Sequence, residues 1–121
     1  MEEDDIRKKR MENEEKQEEN VQLSLLLERQ MDEYEQLATR ERIQNERIVA
    51  YFYGQVEFSF FEDIVEEARI EECRFFDEMN EGQEILTRNK RQLDDRSEAL
   101  YEQELQAIRE EENADGKNGD W

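Results

Sequence analysis

The residues that could do chemistry here are almost all carboxylates: the chain of 121 residues has 36 Asp and Glu, one cysteine, Cys73, and no histidine. Without histidine there is no imidazole acid or base, no imidazole metal ligand and no Ser-His-Asp arrangement. Cys73 has no histidine to take its proton and reads as a small side chain near a turn. Carboxylate pairs such as Glu66 and Glu67 or Asp94 and Asp95 are too frequent in this composition to mark acid catalysis or calcium. Neither the Asp-rich spacing of a calcium loop nor a glycine-rich phosphate loop occurs. No catalytic set, metal, cofactor or small-molecule substrate is expected, and the chain reads as a non-enzyme.

What stands out instead is apolar. Six aromatic residues fall between Tyr51 and Phe61, in a chain whose formal net charge is −19. An exposed arc of that size would be a sticky patch unless something covered it. The charge itself repels nucleic acid and anionic membranes and favours basic partners.

The elements that must present this cluster are helices. Proline is absent, Gly54 and Gly82 are the only glycines before the C-terminal stretch, and Glu, Gln, Arg, Leu and Met dominate, so little interrupts a helix. A hydrophobic share of 35 % is low for a globular domain, and such chains commonly complete their core with another chain. No run of 18 apolar residues is present, and the chain opens MEEDD, without the basic and apolar stretches of a secretory signal. A cytoplasmic protein with no membrane contact is expected.

Residues 1–20 form a charged arm with nine acidic and five basic residues. An apolar stripe then begins at Leu23, Leu26, Leu27, Met31 and Tyr34 and continues through Val49, Phe52, Val56, Phe60 and Ile64. Spacings of three and four carry it straight through Gly54, which predicts one helix to about Ala68 and a turn near 66–74, with a turn at Gly54 as the alternative. In the second helix Met79, Leu86, Leu93, Leu100 and Ala107 stand seven apart, one face of a coiled coil. Residues 113–121 hold turn formers without periodicity and predict a disordered tail. The fold class is all-α: an elongated antiparallel two-helix hairpin over 21–112, coiled-coil-like and completed by partner helices. Phe52, Val56, Phe60, Ile64, Phe75 and Phe76 are expected to pack the hairpin. Leu27, Tyr34, Ile48, Tyr51, Phe58 and Val65 on the first helix are expected to face a partner, as are Met79, Leu86, Leu93, Leu100 and Tyr101 on the second.

From Cys73 to Glu84 the chain reads CRFFDEMNEGQE, and from Leu86 to Leu105 LTRNKRQLDDRSEALYEQEL. In this order, behind an aromatic and acidic segment, these phrases resemble the small LXG-associated α-helical proteins of Gram-positive type VII secretion systems, over about Leu23 to Arg109. The resemblance implies a WXG-like hairpin that binds the helical N-terminal LXG domain of a toxin, together with a second small hairpin, and presents the toxin for secretion. Two features depart from the wider WXG-type group. The only tryptophan is Trp121, and Tyr101 is followed four residues later by Leu105 where the export signal has an acid. Both favour a cytoplasmic targeting factor over an exported one. The alternatives are a self-associating coiled-coil structural or regulatory protein, an acidic chaperone or stalk protein of a type III secretion system, and, more remotely, an acidic DNA mimic.

Overall fold

The computed structural model describes the backbone from Glu2 to Gly119 and the side chains from Glu3 to Ala114. Two helices account for it, α1 (Glu2–Tyr51) and α2 (Phe58–Gly119), with no strand among the described residues. They pack against each other as a helical hairpin.

The chain reverses at residues 52–57, so the turn expected near 66–74 is corrected: those residues lie inside α2. Helix α1 ends by tightening, with the amide of Phe52 donating to the carbonyl of Ile48 at 3.1 Å and that of Tyr53 to Ala50 at 3.3 Å. Gly54 then takes φ = 81°, the left-handed conformation that glycine adopts without a Cβ penalty and that commonly follows a helix C-terminus. The Gln55 amide donates back to the Phe52 carbonyl at 2.9 Å. Its side-chain amide reaches the Tyr51 carbonyl at 3.4 Å, one of the carbonyls that a helix end leaves without a partner. The apolar spacing across Gly54 was therefore a coincidence of register between two helices, and the glycine was the signal.

Packing divides the chain into two units, Met1–Leu23 with Leu86–Trp121, and Ser24–Ile85. In the first, the charged arm is a packed helix. Arg10 pairs with Glu104, which Arg7 also approaches at 3.6 Å, and the Arg10 guanidinium lies 5.6 Å from the centre of the Tyr101 ring. Asn13 and Asn20 are buried, at 2 % and 7 % exposure. Their side-chain amides donate to main-chain carbonyls of α2: Asn13 to Leu93 at 2.9 Å and Asn20 to Leu86 at 3.1 Å. Seven residues forward on α1 match seven back on α2, which is the register of an antiparallel pair.

The second unit is held by aromatic contacts. Tyr34 lies tilted by 30° against Phe75 with ring centres 3.8 Å apart and meets Phe76 edge-on at 5.4 Å, Phe52 stacks on Phe61 at 4.3 Å, and Arg42 pairs with Glu72 at 2.5 Å. Leu27 lies against Gly82.

The C-terminal stretch also differs from expectation. Helix α2 continues through Gly119, where a disordered tail was expected from 113. Its residues include no proline, so helical dihedrals remain open to all of them. Asp120 and Trp121 lie outside the described residues.

Candidate interaction surface

Among the described residues only two hydrophobic side chains are buried, Ala38 and Leu100, each at 5 % exposure, whereas sixteen large ones are exposed. Twelve of those sixteen lie between Leu25 and Ile85, within the unit Ser24–Ile85, so that unit carries the surface in question.

The heptad row of α2 decides which way each aromatic points. Counted back from Met79 in sevens, it passes through Glu72, Val65 and Phe58. Phe58 and Val65 are accordingly half-buried on the α1-facing side, with Val49 and Phe52 on α1 half-buried as well. Phe60 and Ile64 leave the seam, Phe60 at 63 % exposure, and Val56 in the turn is 95 % exposed. The expectation that Val56, Phe60 and Ile64 pack the hairpin is thus corrected, while Phe52, Phe75 and Phe76 do pack in it. The physical cause is the turn: once α2 starts at Phe58, its phase is set by its own row, and the α1 stripe no longer governs it.

The residues expected to face a partner separate in the same way. Leu27, Tyr34, Met79, Leu86 and Leu93 are half-buried and Leu100 is buried, so the free hairpin uses them itself. Ile48, Tyr51 and Tyr101 remain exposed. Sequence reasoning missed Asn13 and Asn20 altogether. Their signal was present in the spacing of Ile6, Asn13, Asn20, Leu27 and Tyr34, seven apart, but two polar members hid it.

Close to the turn, the two helices line an open groove of about 630 Å³. Its apolar lining is Val49 and Ala50 from α1, Tyr53 from the turn, and Phe58 and Val65 from α2. Tyr53 stands edge-on to Phe58 with ring centres 5.5 Å apart. Glu46, Glu62 and Glu66 stand around this lining with one cation, Arg69.

Farther from the turn, burial raises the Tyr34 phenol above its usual value, and the nearby carboxylates of Glu72, Glu41 and Glu71 push it the same way. Both effects disfavour the phenolate. The ring itself packs against Phe75 and Phe76. Among the described residues no group of three or more Cys, Asp or Glu is placed to hold a metal ion, and no helix is long and apolar enough to cross a membrane. Cys73 is a free, exposed thiol.

The geometry defines a helical hairpin with an exposed apolar surface. Comparison with known proteins finds no matching family model, no similar curated protein and no similar solved structure.

Proposed function

We propose that the chain is a non-enzymatic adaptor or chaperone that binds the helical N-terminal LXG domain of a toxin and helps target it to a type VII secretion system from the cytoplasm. One observation carries the reading: among the described residues the hairpin buries only two hydrophobic side chains and exposes sixteen large ones, so its own core is small. Apolar burial is the main favourable term in folding and association. A hairpin that leaves so much of it unrealised is suited to completing a helical bundle with another chain. The sequence resemblance supplies the identity of that chain and of the second small hairpin expected beside it.

The reading is tested by co-expressing the chain with an LXG domain of a type VII toxin and with a second small hairpin protein of the kind the resemblance implies. A stable hetero-complex in size-exclusion chromatography with light scattering is the expected result, together with a sharper thermal transition than the free chain shows. Elution of the free chain apart from the toxin domain would defeat the proposal. A single well-defined oligomer of this chain alone would instead favour the self-associating coiled coil.

A further inference from the structure

The groove beside the turn has a chemistry more specific than exposed apolar surface. We infer that it seats a short amphipathic helix of a partner protein, with one apolar face flanked by lysine or arginine. This deepens the adaptor reading and rests on it only in requiring a helical partner.

The shape argues for a helix. The groove lies between antiparallel segments of α1 and α2, and on α2 it runs from Phe58 to Arg69. That length is about 18 Å, or about three helical turns. A third helix laid in the channel between two others buries an apolar stripe at spacings of three and four, as in helix-in-groove recognition. Val49, Phe58 and Val65 offer the floor for such a stripe. Tyr53, at 78 % exposure, offers a ring with an apolar body and a polar tip, a residue type enriched where binding energy concentrates.

The charge argues for a basic one. From Glu46 to Arg69 the sequence holds six acidic and two basic residues. Glu46, Glu62 and Glu66 enter no ion pair among the described residues, so their carboxylates are available to a ligand. Placed around an apolar floor, they favour cations on both flanks of the incoming helix and reject an acidic one. The same argument disfavours a second copy of this chain as the occupant. Each copy carries a net charge of −19 and the same acidic rim, and like charges across an interface oppose pairing.

The test uses the full chain and two fluorescein-labelled helical peptides of about fifteen residues, enough for the three turns the groove can hold. One has leucine and phenylalanine on one face and lysine on its flanks; the other has glutamate in place of every lysine. In fluorescence anisotropy at low salt the lysine peptide should bind at least about tenfold more tightly than the glutamate peptide, and the preference should shrink at high salt. The combined variant Glu46→Gln, Glu62→Gln, Glu66→Gln should lose most of that preference. Tyr53→Ala, at a turn position 78 % exposed, should weaken binding of the lysine peptide while circular dichroism shows the helicity of wild type. A control with the same loss of charge, Glu98→Gln, Glu102→Gln, Glu112→Gln, should bind as wild type does. Absence of binding, equal binding of the two peptides, or equal losses in the groove and control variants would overturn the assignment. So would a dimer of the free chain that Tyr53→Ala dissociates. The adaptor reading separates cleanly from this one. If the peptide results fail as described while the LXG domain still co-purifies with the chain, the groove assignment fails and the adaptor reading stands. If the peptides behave as expected and the LXG domain does not bind, the adaptor reading fails and the groove stands.

Discussion

The side-chain amide of Asn13 donates to the main-chain carbonyl of Leu93 at 2.9 Å, while its own carbonyl oxygen, fully buried, accepts no hydrogen bond. Asn20 repeats the donation one heptad later, to Leu86. A polar residue at a seam position lowers stability and fixes register, because only one alignment brings its partner into reach. These two residues pin the unit Met1–Leu23 with Leu86–Trp121 in one antiparallel alignment.

A first prediction follows from the unmatched oxygen. A buried acceptor without a donor costs about 1–3 kcal/mol, whereas the hydrogen bond that the amide makes contributes only about 1 kcal/mol. Asn13→Leu should therefore raise the midpoint of thermal unfolding. The combined variant Asn13→Leu, Asn20→Leu should also relax the register and let the chain self-associate, visible as a higher mass in light scattering. A lower midpoint for Asn13→Leu would mean that the oxygen has a partner in solution.

Gly54 in the turn and Gly82 inside α2 give opposite expectations. Gly54 has φ = 81° and nothing within 4 Å of an added Cβ, so Gly54→Ala meets no clash and suffers only the left-handed backbone, about 1–2 kcal/mol. Gly82 is helical, and an added Cβ would sit 3.4 Å from the Leu27 side chain, an ordinary contact. Gly82→Ala should gain roughly 0.8–1 kcal/mol of helix propensity. Urea unfolding followed by circular dichroism should place the midpoints on either side of wild type. Identical shifts would show that Gly54 is not left-handed in solution.

Which parts of this were legible in the sequence depends on whether a pattern was apolar. The leucine row from Met79 to Ala107 announced α2 directly. Its extension to Phe58 and Val65 was concealed because Glu72 occupies the intervening position and pairs with Arg42. The Asn13 and Asn20 positions were invisible for the same reason: a hydrophobic pattern cannot register a seam residue that is polar and anchored by its side-chain amide to a main-chain carbonyl. The turn was misplaced because Val49, Phe52, Val56 and Phe60 mimic one continuous stripe, while the decisive property of Gly54 is a backbone angle. The groove could not be read from sequence at all, since it needs the positions of both helices.

The corrected phase of α2 reverses the roles of two aromatics. Phe58 is half-buried in the seam and in edge contact with Tyr53, so Phe58→Ala should destabilise the free chain by about 1–2 kcal/mol, a partly buried version of a core truncation. Phe60 is 63 % exposed, and Phe60→Ala should change stability by less than about 0.5 kcal/mol. Thermal melts of the two variants by circular dichroism decide the matter. A larger loss for Phe60→Ala would return that ring to the hairpin interior and shift the register of α2 by two residues.

The last expectation concerns alkaline pH and Tyr34. Its phenol titrates above the ordinary value of 10.0 because burial, and then the carboxylates of Glu72, Glu41 and Glu71, disfavour the phenolate. In the window between the unfolded and folded pKa the native state holds more protons than the unfolded one. The sign is therefore fixed: the contribution is fully present below the unfolded value and is lost as pH rises through the folded one. Wild type should lose stability above about pH 10 more steeply than Tyr34→Phe, which keeps the ring contacts with Phe75 and Phe76 but has no proton to release. Urea midpoints measured from pH 8 to 11, with phenolate absorbance followed in parallel, supply the comparison. Parallel curves for the two proteins would mean that the ring is solvated and that the aromatic contact beside the seam does not persist in solution.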